Sequence, residues 1–357
     1  MPIGVALIGA GLFARLVYLP AIDATSEIEL RAVYSRSLKS AQSVAPDRDL
    51  ARYADDADQD LAAMLDRSDI TAVIIAVPIV LTAKFVRIAL DAGKHVLSEK
   101  PIAKDIAEAT TLLQWYRSSG VSQRANWSVA ENWRYWKSLN YARDQLAALG
   151  RIHQLRVQVN MDCRPGFYMW SFFEGSTWRR HPEHQGGTLL DCGVHFAASL
   201  RHLLRSDRVT RIAAFASAAS DKLPPLDTLD AIFQTEAGTQ GVFQLSLTSN
   251  LHGTGWEIVG DNGSISVMDA TGTVENTTVT TRFKDRDPEV RPIPIEGLGV
   301  PDEVLDWGKA LATGEWNDRQ RPEEALADLE LMELMFQSSA EQGMPKVPVH
   351  QVVDGSQ

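Results

Sequence analysis

In the first third of the chain, short apolar runs alternate with stretches whose apolar residues recur every three or four positions. "IGVALIGAG" reads as a buried strand, "ELRAVYSRS" as a second, "TAVIIAVP" as a third and "KHVLSEKP" as a fourth. Between them, segments such as "VLTAKFVRIALDAGK" carry a helical stripe. This alternation predicts a parallel sheet with right-handed crossovers, because parallel neighbours need a connection that returns over one face. "NWRYWKSLNYARDQLAALG" carries a further helical stripe and ends at Gly150, a residue suited to a C-terminal cap.

From about Arg151 the pattern changes. "IHQLRVQVNMD", "RIAAFASAAS", "TLDAIFQTEAGTQGVFQLSLTSN", "GWEIVGDNGSISVMDA" and "ENTTVTTRF" are rich in β-branched residues, with turns at "EAGTQG" and "GDNGS". They predict a mostly antiparallel sheet. "RPEEALADLELMELMFQSSAEQG" returns to an amphipathic helix. The expected fold class is α/β: a doubly wound parallel sheet over residues 1–130, then an α+β domain with a large, mostly antiparallel open sheet over 131–357. The late helix, 322–342, is free to pack back on the first domain.

The bulk numbers sharpen this picture in three ways. A length of 357 residues suits two domains better than one, and 45% apolar with 23% charged residues is the balance of a globular protein with a real core. The net charge of −11 should repel nucleic acid and anionic membranes, and no apolar stretch approaches the roughly 20 residues that span a bilayer. Two cysteines, Cys163 and Cys192, make no disulfide framework and point to a reducing compartment. The opening "MPIGVALIGAG" runs straight into a glycine turn, unlike a signal peptide, so a cytoplasmic location is expected.

Candidate chemistry begins at that turn. In "GAGLFA", Gly9 permits the sharp turn and Gly11 lets a pyrophosphate approach the backbone. Leu12 and Phe13 open a helix whose first N–H groups and positive dipole suit an anion, and Ala14 is a tolerated third position. At the end of the second strand, NAD sites usually carry an acid for the ribose 2′-hydroxyl. Here stand Ser35 and Arg36, a hydroxyl and a guanidinium that suit a 2′-phosphate. NADP is favoured over NAD; the alternative is that Arg36 is one more solvated arginine. In "SEKP", Glu99, Lys100 and Pro101 end the fourth strand. The Lys100 ammonium there could orient a substrate hydroxyl and stabilise developing negative charge.

In "HQGGTLLDCGVH" a glycine pair, expected to let the chain turn tightly and approach a ligand closely, is followed by Asp191 and, four residues on, His195. On a helix the two share one face, so the imidazole can take a proton from an alcohol while the carboxylate steadies the resulting cation. The alternative is a helix-capping aspartate with a satisfied histidine. Upstream, "CRPGFYMWSFFEGSTWRRHPEH" offers Tyr168, Trp178 and Arg179 to a sugar or sugar acid; packing against the sheet would explain its aromatics equally well. No metal site is expected.

Together, "GAGLFA", "AGKHVLSEKP", "AENWRYW", "GGTLLDCGVH" and "IVGDNGSISV" resemble the Gfo/Idh/MocA family, the glucose–fructose oxidoreductase and inositol dehydrogenase group, over almost the whole chain. The resemblance implies a Rossmann domain, a large open sheet in the second domain and a site between them. It makes Lys100, Asp191 and His195 the catalytic trio, with His195 the base. It adds cofactor contacts from Ala76, Pro78, Glu99, Lys100 and Asn132. Two features set this chain apart. Where the family often reads Pro-Asn-x-x-His, Pro78 is followed by Ile79, and Thr82 stands at the histidine's place. His195, where the dihydrodiol dehydrogenase branch has tyrosine, points to the polyol and sugar branch.

The function expected is NADP-dependent hydride transfer at a secondary alcohol or hemiacetal carbon of a sugar, cyclitol or related polyhydroxy compound. The alternatives are a non-catalytic NAD(P)-binding sensor, or a member that cleaves glycosidic bonds with tightly held NAD. In "GVFQLSLTSN" the apolar residues Phe243, Leu245 and Leu247 alternate with Gln244, Ser246 and Thr248. Such a polar second face, with the family's sheet-to-sheet pairing, leads us to expect a homodimer or a dimer of dimers.

Overall fold

A computed structural model describes residues 1–165, 170, 174–269 and 276–351. The chain forms two compact units, Met1–Asn132 with Val300–Leu326, and Trp133–Gly299 with Ala327–Gln357.

The first unit is built on six parallel strands: β1 (Ile3–Ile8), β2 (Ile28–Ser35), β3 (Ala51–Ala54), β4 (Ala72–Ile75), β5 (His95–Ser98) and β6 (Trp127–Val129). Their order is β3-β2-β1-β4-β5-β6. The four strands expected from the apolar runs are β1, β2, β4 and β5. "ARYA" of β3 and "WSV" of β6 are too short to show a period of their own. Val5–Ile8 and Ala72–Ile75 are completely buried, because helices cover both faces of a parallel sheet and every side chain needs an apolar neighbour. The strand order reverses between β1 and β4, which leaves a crevice at their carboxyl ends. The helix Val300–Thr313 returns to this unit and adds Val300, Val304 and Trp307 to the core around β1.

The second unit holds eight strands: β7 (Ile152–Asp162), β8 (Val209–Ser217), β9 (Thr228–Thr235), β10 (Gln240–Ser246), β11 (Thr248–Gly260), β12 (Gly263–Asp269), β13 (Asn276–Phe283) and β14 (Arg286–Pro294). Their order is β14-β13-β12-β11-β7-β10-β9-β8, antiparallel throughout except where β10 runs parallel to β7. Phe243, Leu245 and Leu247 are buried, as the alternation predicts. β14 was not expected, since all but one of its residues are exposed and no apolar face marks it.

One helix, Thr188–Leu204, packs on the inner face of this sheet. Trp256 on β11 donates its indole N–H to Ser199 Oγ at 2.9 Å. Against it lies the helix Pro322–Ala340. A Cβ on Gly193 would sit 2.2 Å from Met332 Cε, so glycine in mid-helix is what allows the two helices to approach. Among the described residues, no helix is long and apolar enough to cross a membrane.

Candidate active site

In the first unit the expected cofactor residues all follow carboxyl ends of parallel strands. Gly9 and Gly11 follow β1, Ser35 closes β2 and Arg36 follows it, and Ala76 and Pro78 follow β4. Glu99 and Lys100 follow β5, and Asn132 comes three residues after β6. The two glycines do different work. Gly9 has φ +115°, and a Cβ there would lie 2.1 Å from the Ala76 carbonyl oxygen, so it makes the turn possible. A Cβ on Gly11 would meet nothing within 4 Å. Among the described residues no protein group demands glycine at that position, and the open backbone is what a pyrophosphate requires. The geometry therefore fits a dinucleotide. Leu12 and Phe13 are half-buried and continue into the helix.

Arg36 is exposed and makes no hydrogen bond or ion pair among the described residues. The carboxylates beside it are engaged: Asp55 accepts the Tyr34 hydroxyl at 2.6 Å, and Asp56 accepts the Leu38 amide at 2.7 Å. Burial and the Asp55 hydrogen bond push the Tyr34 hydroxyl upward from its ordinary range, which keeps it a donor. Lys100 is half-buried and joined to Pro101 by a cis peptide bond. Its backbone N–H donates to Glu99 Oε2 at 3.1 Å, while Glu99 Oε1 accepts the Tyr18 hydroxyl at 2.7 Å. Thr82, at the family histidine's place, is buried in the helix Ile79–Asp91.

In the second unit the Asp191–His195 segment is helical, and the helix Thr188–Leu204 spans the residues its pattern predicts. The preceding glycines have φ +68° and +53°, a conformation that side chains disfavour. Their close neighbours belong to the protein rather than to a ligand. A Cβ on Gly186 would strike the Phe336 ring at 2.5 Å, and one on Gly187 the Pro224 carbonyl at 2.3 Å.

Asp191 is buried and accepts the Arg179 Nε–H at 2.8 Å. The Arg179 guanidinium also lies 4.1 Å from the centre of the Trp178 ring, and both side chains are partly exposed. Tyr168 lies outside the described residues. His195 is half-buried, and its ring stacks on Trp133 with centroids 5.8 Å apart and planes at 24°. Trp133 stacks in turn on Trp136 at 3.9 Å and meets the edge of Phe196 at 4.6 Å. Beneath this aromatic group, buried Asp328 accepts from Arg201 Nη1 at 2.7 Å and also bonds Arg134. That aspartate ties the turn carrying Trp133 to the helix carrying His195.

Sequence reasoning missed Tyr18, Trp133 as a support for His195, and the Arg179–Asp191 pair. Only Trp133 had a signal, its place inside "NWRYW". Among the described residues, no cluster of three His, Cys, Asp or Glu side chains is arranged to hold a metal ion.

Comparison with known proteins decides the family. The Gfo/Idh/MocA oxidoreductase family with its NAD-binding Rossmann fold matches residues 3–126, and its C-terminal domain matches residues 142–266. The chain belongs to this family. A dehydrogenase of Fusarium mangiferae is 36% identical over 356 residues, covering 97% of this chain and 99% of the relative. A dTDP-3,4-didehydro-2,6-dideoxy-alpha-D-glucose 3-reductase of Saccharopolyspora spinosa is 28% identical, with 74% of each chain covered. The crystal structure of a Thermotoga maritima oxidoreductase superposes with a TM-score of 0.82 at 26% identity, covering 97% of this chain and 98% of that one. The protein is an NAD(P)-dependent oxidoreductase.

Proposed function

We propose that the protein transfers hydride between NADP and a secondary alcohol or hemiacetal carbon of a sugar, cyclitol or related polyhydroxy compound. The observation that carries this reading is the setting of His195. A half-buried imidazole is backed by an indole stack and stands one helical turn from an ion-paired aspartate. A bound nicotinamide supplies the hydride acceptor or donor. In the oxidising direction His195 takes the alcohol proton as the carbon loses hydride, and in the reducing direction it returns that proton. Trp133 presents a π-face to the ring and holds its orientation. Asp191, paired with Arg179, stands one turn before His195 on the same helix. The Lys100 ammonium stabilises negative charge developing on the substrate oxygen.

The preference for NADP is supported by the exposed Arg36 guanidinium beside Ser35, with the nearby carboxylates Asp55 and Asp56 engaged elsewhere. Tyr168, Trp178 and Arg179 are proposed to contact substrate, and the half-exposed Trp178–Arg179 stack suits the apolar face and hydroxyls of a sugar ring. The kinship with a keto-sugar 3-reductase supports a carbonyl or alcohol within a sugar as the reacting group. The test is a screen of NADP+ and NAD+ reduction against sugars, cyclitols and sugar acids. NADP+-dependent turnover of a polyhydroxy compound is expected. Turnover confined to substrates without a sugar-like hydroxyl array overturns the reading.

The same proposal includes a homodimer formed through the open sheet. One outward row crosses that sheet in register from Ile232 and Val242 through Arg156, Glu257 and Ser266 to Val290. Ile232 is 64% and Val290 63% exposed, with the Arg156–Glu257 pair between them at 2.9 Å. Apolar residues at both ends and a self-complementary ion pair in the middle suit pairing about a two-fold axis. Light scattering should return twice 39.3 kDa or a multiple of that; a monomer at micromolar concentration removes the dimer. A sequence with two cysteines, Cys163 and Cys192, supports a reducing, cytoplasmic setting.

A further inference from the structure

We propose that Tyr18 is a positioning residue for Lys100, acting through Glu99, and thereby couples the glycine turn to the strand end that carries the lysine. This rests on the reading above that Lys100 serves the reaction. Tyr18 is fully buried, yet its hydroxyl reaches across 81 residues of sequence to Glu99 Oε1 at 2.7 Å. The other oxygen of the same carboxylate, Oε2, accepts the Lys100 backbone N–H at 3.1 Å. A carboxylate held at both oxygens cannot swing. It sets the plane of the Glu99–Lys100 peptide, and so the direction in which the Lys100 side chain leaves the backbone.

Local sequence explains how Tyr18 comes to this place. Pro20 has no N–H to donate to the preceding turn, and just before it the helix widens into a π-turn over Ala14–Tyr18. Leu19 N–H then bonds Ala14 O, five residues back. The Tyr18 ring lies edge-on to Phe13 of the glycine turn, with centroids 5.5 Å apart and planes at 80°. Tyr18 thus touches the turn with its ring and the Lys100 strand end with its hydroxyl. Burial, followed by the charges of Glu99, Glu303 and Glu131, holds that hydroxyl well above the usual phenol range, so it donates at every working pH.

A residue that merely fills the core would lose stability on replacement and leave the Lys100 peptide and the chemical step alone. Tyr18→Phe keeps the ring and removes only the hydroxyl. In hydrogen–deuterium exchange without added cofactor, the Lys100 amide is expected to exchange about ten- to a hundredfold faster in this variant, with β1 and β4 unchanged. With the best substrate of the panel, kcat should fall by about the same factor while the dissociation constant of NADPH, read by its fluorescence, moves less than about threefold. Glu99→Gln should speed Lys100 exchange and lower kcat similarly, and in both readouts the double variant should be no worse than Glu99→Gln alone, because both break one clamp.

Unchanged exchange at Lys100, multiplicative effects in the double variant, or a kcat loss fully matched by lost affinity would overturn the proposal. If Tyr18→Phe does not fold, Glu99→Asp carries the test. It keeps the charge but is too short to hold both partners, and wild-type kcat and exchange in it would refute the clamp. Lys100→Met separates the two readings. Full turnover there removes the lysine's role and the clamp's purpose together, whereas lost turnover beside a neutral Tyr18→Phe removes the clamp alone.

Discussion

The first unit assembles its candidate residues at the ends of parallel strands, and most of what it offers a ligand is backbone: an open glycine, a helix start, strand-end amides. The second unit offers side chains, and each is held by other side chains. His195 leans on Trp133, Asp191 is paired with Arg179, and Asp328 ties the two supporting segments together. A backbone site depends on where strands end, which the sheet imposes on many residues at once. A side-chain site depends on individual contacts between segments far apart in sequence. Lys100 and its supports apart, single substitutions should therefore act differently in the two units, on affinity in the first and on turnover and stability in the second.

The sharpest break is His195→Ala, which should lower kcat by about 10²–10⁴-fold with NADPH binding retained, since a positioned acid–base group contributes that much. Steady-state rates beside a fluorescence titration decide it, and near-normal turnover would remove His195 as the base. Next is Asp328→Ala. It leaves the buried Arg134 and Arg201 guanidinium groups without their shared carboxylate, at a cost of about 3–5 kcal/mol. Denaturant unfolding should show that loss. A change below about 1 kcal/mol would mean that the aspartate does not hold the second unit's candidate residues together.

Arg36→Ala tests the first unit. It should weaken NADPH by about ten- to a hundredfold and leave NADH nearly unchanged, because only NADPH carries the group a guanidinium would bind. Equal small losses for both would make Arg36 a solvated residue. A pair of glycine substitutions contrasts the units directly. Gly193→Ala forces Met332 aside and should cost about 1–3 kcal/mol of stability. Gly11→Ala meets no protein atom and should change stability by no more than about 0.5 kcal/mol while weakening the dinucleotide. The reverse pattern would put the cofactor elsewhere.

The smallest effect concerns pH. Burial lowers the pKa of His95, whose Nδ1 accepts the Asn126 amide at 2.9 Å and whose ring stacks on Trp316. A histidine with a folded pKa below its unfolded value binds fewer protons when folded. Its contribution to stability is present above about pH 6.5 and is lost as pH falls from there through the folded pKa. His95→Gln should flatten that part of the stability–pH curve; an unchanged slope between pH 7 and pH 5 would assign the effect to other groups.

The four long apolar runs, the turn at Gly9 and Gly11, Lys100 at a strand end, and the helix bearing Asp191 and His195 were all legible in the sequence. Each is a local pattern: an apolar run, a residue type at a turn, or a spacing of four on a helix. The short strands β3 and β6 and exposed β14 were not legible. Three or four residues carry no period, and a strand with no buried face carries no apolar alternation. The glycine pair was read correctly as a tight turn, but its neighbours proved to be Phe336 and Pro224, which no local pattern identifies. Only the tertiary structure could show that Tyr18 reaches Glu99, that Trp133 backs His195 and that Arg179 pairs with Asp191. Strands and helices follow from neighbours in sequence, because backbone hydrogen bonds and burial repeat with a fixed period. A side chain's partner is decided by which distant segments the fold brings within 3 or 4 Å, and a single hydroxyl or guanidinium leaves no periodic trace.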